Sequence, residues 1–279
     1  MASGDPDAVH YVGRLDMEGR ADGSEDAPMC VVPYRYGDRG WFDYQPMSPI
    51  YPAALWNLTR SDTDRARLAA LREAEHYDWR RVISFRGKED AGHEQPWLCF
   101  LQGENPDYPE HILDVALEQV ARRLRSIEED RADLTTVNVH HWQVRNPVTT
   151  EALVQLTLGA PQPIYNGGLL IAPLRYFDAQ RRRPGLPPDV AALVERSEAT
   201  QLVVRLVNTS PSTQREVIVQ AGAFGEHRWD AAAYSARPGD AVRGPIGATR
   251  FGVALPPSSE IRLDLTMTRN VNPPAYPTV

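Results

Sequence analysis

The feature that most constrains this fold is a change of hydrophobic period near Thr200. Beyond it, apolar residues recur at every second position: Leu202, Val204 and Leu206, then Val217, Val219 and Ala221. The cleanest case sets Ile261, Leu263, Leu265 and Met267 against Arg262, Asp264 and Thr266. Successive side chains point to opposite faces of a strand, so this alternation marks strands buried on one face. Turn residues at 208–212, Pro238-Gly239 and 256–259 separate them, and short strands between turns imply a small antiparallel β-sandwich.

Upstream the period is helical. Residues 1–28, rich in Asp, Gly and Ser, read as an irregular lead-in with at most one strand. Residues 29–51 carry Tyr34, Tyr36, Trp41, Phe42, Tyr44 and Tyr51, broken by Gly37, Gly40 and Pro46, so a structured loop with one short strand at 30–34 is expected. A helix is expected from Pro49 or Pro52 to Leu58. A second is expected from Ser61, whose hydroxyl can cap free N–H groups while Asp62 and Asp64 suit the positive helix start. The best helical signal is 107–129, where Ile112, Leu113, Ala116, Leu117, Val120, Leu124 and Ile127 supply an inward face and Arg122, Arg123 and Arg125 stay outside. Another helix opens at Asn146-Pro147 and stops at Gly159, and a short one spans 189–196. The expected class is therefore α+β, with a lead-in at 1–28, a helical region at 29–198 and the sandwich at 199–279.

Composition narrows the partners. A net charge of -7 with no basic face excludes nucleic acid, because phosphate binding depends on clustered Lys and Arg. No window approaches the about eighteen apolar residues of a membrane span, and the first residues carry no basic and apolar leader. A soluble, cytoplasmic chain is expected. Cys30 and Cys99 are far apart, which indicates neither a disulfide framework nor a zinc site. The phosphate-cradling and nucleophile-elbow motifs GxxxxGK[ST], GxGxxG and GxSxG are missing, so no cofactor is implied.

Two segments concentrate chemistry. GKEDAGHEQPW, residues 87–97, gathers Asp90, His93 and Glu94 in a glycine-flanked loop held by Trp97, a carboxylate and imidazole set suited to general acid/base work. It is not HExxH, since no second histidine follows and Pro96 opposes the helix that motif needs. VHHWQVRNPVTT, residues 139–150, places His140, His141, Trp142 and Asn146 ahead of a helix start, where free N–H groups favour an anion. Glu151, in the first turn, reads as a partner of the helix dipole. Trp41, Tyr44, Trp97, Trp142 and Tyr165 combine apolar faces with polar tips suited to sugar rings, and Tyr165-Asn166-Gly167-Gly168 allows close backbone approach to a ligand.

The paired helices around 55–74 and 113–158, the loops GKEDAGHEQPW and VHHWQVRNPVTTEALVQLTLGAP, and the alternating strands after Thr200 together resemble the C-terminal portion of six-hairpin glycosidase-like (α/α)-toroid proteins. The resemblance implies a partial toroid followed by the sandwich, with acidic loop residues acting on glycosidic bonds, which nominates Glu94 and Asp90. The chain holds fewer helices than a complete toroid, so a second chain or a missing N-terminal region would complete the helical domain.

The expectation that follows is a carbohydrate-active, glycoside hydrolase-like enzyme or its C-terminal part. Glu94 is the general acid or base, His93, His140 or His141 transfers or orients a proton, and the tryptophans stack on a carbohydrate ligand. The alternative is a non-catalytic carbohydrate- or protein-binding and assembly module. A third option sets a metal between His93, Glu94 and His140 or His141. The catalytic reading requires three separate loops to share one cavity.

Overall fold

A computed structural model describes residues 31–35, 43–46, 49–74, 78–83, 92–143, 145–146, 150–161, 171–235 and 242–276. The chain divides into two compact units, Met1–Trp79 and Arg80–Val279.

In the first unit, β1 (Val31–Arg35) pairs antiparallel with β2 (Asp43–Pro46), with a register shift between Pro33 and Arg35. Helix α1 (Ile50–Thr59) ends on Arg60, whose left-handed φ of 54° turns the chain while its N–H reaches the Trp56 carbonyl at 2.7 Å. Helix α2 (Asp62–Ala74) starts as its sequence directs: the Ser61 hydroxyl accepts the Asp64 N–H at 3.1 Å, and Leu68 and Leu71 are buried. Arg60 stacks 4.2 Å over the Trp56 ring.

The second unit is mostly β. Among its described residues four helices come first: α3 (Glu94–Leu101), α4 (Tyr108–Glu128), α5 (His140–Gln143) and α6 (Glu151–Leu158). Nine described strands follow: β3 (Leu174–Asp178), β4 (Arg183–Pro184), β5 (Val190–Ser197), β6 (Gln201–Asn208), β7 (Arg215–Ala221), β8 (Arg228–Ser235), β9 (Val242–Ala248), β10 (Arg250–Leu255) and β11 (Ser259–Thr268). They form a four-stranded sheet in the order β10-β7-β3-β4 and a five-stranded sheet in the order β5-β6-β11-β8-β9, with every pair antiparallel. This overturns the expectation of a helical-hairpin region, part of an α/α toroid, preceding a sandwich. Sheets dominate this unit, and its helices apart from α4 have eight residues or fewer.

One apolar cluster joins the inner faces of both sheets. Leu174, Tyr176, Val217, Val219 and Val253 come from one, and Val194, Leu202, Val204, Leu263 and Leu265 from the other. Two polar ties accompany it. Trp229 on β8 is fully buried and donates its indole N–H to the Val219 carbonyl on β7 at 3.2 Å. The Asn208 amide at the end of β6 donates to the carbonyls of Leu255 and Pro256, both at 3.0 Å. Each satisfies a polar group that burial would otherwise leave unpaired.

The expected short helix at 189–196 is instead β5. Its inward residues Ala192 and Val194 keep the two-residue period, and a register shift between Val194 and Arg196 turns Ser197 inward. On α4 the inward face is Tyr108, Ile112, Gln119 and Arg123, whereas Leu113, Leu117, Leu124 and Ile127, expected inside, are exposed. Arg123 is buried, and its guanidinium donates to the Asn146 carbonyl at 2.5 Å.

Candidate functional site

The GKEDAGHEQPW segment is a helix start rather than a loop from His93 onward. His93 is the N-cap residue of α3, and Pro96 falls in the first turn, where its missing N–H has no intrahelical partner to lose. The expectation that Pro96 breaks the helix is thereby corrected. The Trp97 N–H closes onto the His93 carbonyl at 3.1 Å. Helix α6 starts at Glu151 with Thr150 as N-cap, rather than at Asn146-Pro147, and ends on Gly159 in the left-handed region at φ 60°.

These two helix starts meet. The Glu151 Oε2 lies 2.8 Å from His93 Nδ1, and its Oε1 accepts the backbone N–H groups of His93 at 2.5 Å and Gly92 at 3.1 Å. Gly92 makes this possible with a φ of +130°, a conformation that side chains disfavour. The other ring nitrogen of His93 stands 2.9 Å from the Ile83 carbonyl and 3.3 Å from the Ile83 N–H, so either tautomer finds a partner there. Gln155, one turn along α6, donates to Glu151 Oε1 at 3.3 Å and accepts a short hydrogen bond from the Tyr108 hydroxyl.

Glu94 completes the cluster. Its Oε1 is buried without a hydrogen-bond partner. Burial first, and then the negative charge of Glu151, push its carboxyl up to about 8, against a weaker opposing pull from its own backbone N–H. Burial, followed by the charges of Glu151 and Glu94, also holds the Tyr108 phenol well above its ordinary range. His93, Glu94 and Glu151 are 1%, 1% and 2% exposed. The arrangement therefore sets the Glu94 carboxyl, with its raised proton affinity, beside the multiply hydrogen-bonded Glu151 side chain and the His93 ring, all three nearly closed to solvent.

The expected residues described in this unit besides His93 and Glu94 add no side chain to this hydrogen-bonded cluster. Trp97 is fully buried, so its ring is not presented to a sugar. His141 faces Asp130, with Nε2 2.6 Å from Oδ2, and Arg145 reaches the same oxygen at 2.7 Å. The Ala132 N–H first, then His141 and Arg145, lower the Asp130 carboxyl below its usual range. Trp142 is exposed and meets the His141 ring edge-on at 5.1 Å, and Asn146 is exposed next to the Arg123 contact. His140 opens α5, with its N–H on the Asn138 side chain at 2.9 Å. Tyr44 lies in β2 of the first unit. Asp90, Trp41, Tyr165 and Asn166 lie outside the described residues. Among the described residues, no group of three or more His, Cys, Asp or Glu side chains is arranged to hold a metal ion, so the donors named for a metal are not gathered.

The residue that sequence reasoning missed is Glu151. Its position in a first turn pointed to the helix dipole, and the partner it holds lies 58 residues earlier in the chain.

An antiparallel two-sheet sandwich carrying short helices, with a buried His–Glu–Glu cluster between two helix starts, is the class of structure these features define. Residues 6–154, more than half of the chain, match the family described as a domain of unknown function (DUF8034), and the chain belongs to that family. His93, Glu94 and Glu151 all fall within the matched residues, and strands β3–β11 follow them. No curated protein matches the chain. No helix among the described residues is long and apolar enough to cross a membrane.

Proposed function

We propose that the chain carries out general acid/base chemistry on a glycosidic bond, with Glu94 as the proton donor, a reading that rests on the Glu94–Glu151 pair alone because the described residues of the expected His140 and His141 loop are not gathered around it. The observation that carries this reading is the Glu94 carboxyl, buried with an unpartnered oxygen beside the Glu151 carboxylate and holding its proton up to about pH 8. Two carboxyl groups with separated proton affinities are the chemical requirement of glycoside hydrolysis: one protonates the leaving oxygen and the other remains an anion. Glu151 is the anion in this reading. His93 is a positioning residue, since its ring fixes the Glu151 carboxylate. The cytoplasm is the proposed location, supported by cysteine usage without a disulfide pattern.

The test compares wild type, Glu94→Gln and Glu151→Gln on a panel of nitrophenyl glycosides and on reducing-end release from polysaccharides. Loss of general acid catalysis costs roughly 10²–10⁴-fold in rate, and that loss in Glu94→Gln with an unchanged fold supports the reading. Glutamine resembles the protonated acid in shape, so this variant separates proton donation from packing.

A second reading is favoured by the near-zero exposure of the cluster: a non-catalytic module in which these groups lock α3, α4 and α6 together. Wild type without turnover on any member of the panel, with effects of Glu94→Gln confined to the pH dependence of stability, selects it.

A further inference from the structure

Helix α4 wears its faces in reversed order. Its inward line is Tyr108, Ile112, Gln119 and Arg123, half of it polar. Its aliphatic line looks outward: Leu113, Leu117, Leu124 and Ile127 are 39%, 66%, 46% and 41% exposed, with Val120 half-buried between them. Isolated exposed leucines are ordinary on a surface. Five positions spaced by four, three, four and three residues along one helix are different, because that spacing is the seam by which one helix packs lengthwise on another.

The charges beside the seam identify the kind of helix. Asp114 and Glu128 border it on one side, both exposed, with one exposed cation, Arg125, a turn before Glu128, and exposed Glu110 heads it. The opposite border holds Ala116 and the buried Arg123, whose guanidinium already serves the Asn146 carbonyl. A second copy is a poor occupant. Antiparallel self-pairing sets Asp114 against the Glu128 of the other copy, and parallel self-pairing brings only the committed Arg123 towards Glu128. A helix whose own apolar stripe is flanked by Lys or Arg meets both the leucines and the carboxylates.

We propose that the outer face of α4 is a docking surface for an amphipathic partner helix with a basic border, seated on Leu113, Leu117, Val120, Leu124 and Ile127 and paired with Asp114 and Glu128. The contact buries aliphatic surface that water otherwise covers, and the carboxylates set the orientation and choice of partner. The proposal stands apart from the acid/base reading, because none of these side chains belongs to the His93–Glu94–Glu151 cluster.

The experiment uses the full chain and two synthetic helical peptides of equal length, each with leucines at the same spacing, one bordered by lysines and the other by glutamates. Fluorescence anisotropy is expected to show the lysine-bordered peptide binding at least about tenfold more tightly. Leu117→Glu with Leu124→Glu removes this binding without changing the circular dichroism spectrum, because both side chains are already exposed. Asp114→Lys with Glu128→Lys reverses the preference between the two peptides. Equal binding of both peptides, insensitivity to the two leucine changes, or failure of the charge reversal to invert the preference overturns the proposal. A chain that sediments as a dimer abolished by the leucine changes also overturns it, in favour of a second copy.

Discussion

One carboxylate of Glu151 fixes both the main chain and the ring of His93: Oε1 takes the His93 N–H at 2.5 Å and Oε2 faces its Nδ1 at 2.8 Å. The first bond sets the start of α3 and the second sets the rotation of the imidazole. A residue on α6 thus determines the geometry of a helix whose N-cap lies 58 positions earlier.

Glu151→Ala therefore leaves two backbone N–H groups and a buried ring without their acceptor. Removing one partner of a buried pair costs about 3–5 kcal/mol, and that is the loss expected in urea unfolding at neutral pH. Glu151→Gln keeps the volume and replaces only one acceptor oxygen, so a smaller loss of roughly 1–3 kcal/mol is expected. Equal stability of Glu151→Ala and wild type would show that these contacts do not hold the fold.

The pH dependence has a definite sign. The Glu94 carboxyl rises from 4.5 to about 8 on folding, so between those values the folded chain holds a proton that the unfolded chain releases. The stabilising effect of that proton is complete below about pH 4.5 and is lost as pH rises through about 8. Over this window one such group lowers stability by up to about 1.4 kcal/mol per pH unit. Unfolding free energies measured from pH 5 to pH 9 are expected to fall less steeply in Glu94→Gln than in wild type. Parallel slopes in the two proteins would refute this assignment.

Trp229 separates hydrogen bonding from packing between the sheets. Trp229→Phe retains most of the apolar contact and removes one hydrogen bond to the Val219 carbonyl, which stays within the ladder of β7 between β3 and β10, so a loss of about 0.5–1.5 kcal/mol is expected. Trp229→Ala also opens a cavity, and about 3–5 kcal/mol is expected. Chemical denaturation of the two variants measures both.

Gly159→Ala tests the contact between α6 and the sandwich. Gly159 has φ +60°, and an added Cβ would stand 2.8 Å from Val194 Cγ1 on β5. Left-handed strain alone costs of order 1–3 kcal/mol, and the contact with Val194 adds to it. A fall in melting temperature is expected. Val194→Ala, which removes the obstructing methyl groups, should recover part of the loss when combined with Gly159→Ala.

The sequence disclosed local features better than distant ones. The alternation at 202–206, 217–221 and 261–267 appears as β6, β7 and β11, because burial of one strand face is written into every second residue. Ser61 starts α2 as its hydroxyl predicts, and Gly159 ends α6. Residues 189–196 read as a short helix and are a strand, because Ala191, Ala192, Leu193 and Val194 carry no local mark against either state and pairing with β6 decides the matter. On α4 the three- and four-residue spacing identified a helix correctly but not which side faces inward. The inward line is fixed by Tyr108 meeting Gln155 and by Arg123 meeting Asn146, contacts 47 and 23 residues apart. His93 and Glu94 stood out as a pair, whereas Glu151 carried no local mark of its role. His141 faces a different acid, Asp130, and Trp142 meets the His141 ring, because α5 follows the end of α4 and not the start of α3.

Helix α6 is about 12 Å long, eight residues at 1.5 Å each. Glu151 stands at one end, and Gly159, lodged against a sheet methyl group, follows the other. So short a rod has little compliance. Its two ends join the edge strand β5, at Val194, to the carboxylate beside Glu94, so the packing of that edge and the placement of the acid cluster rest on the same eight residues.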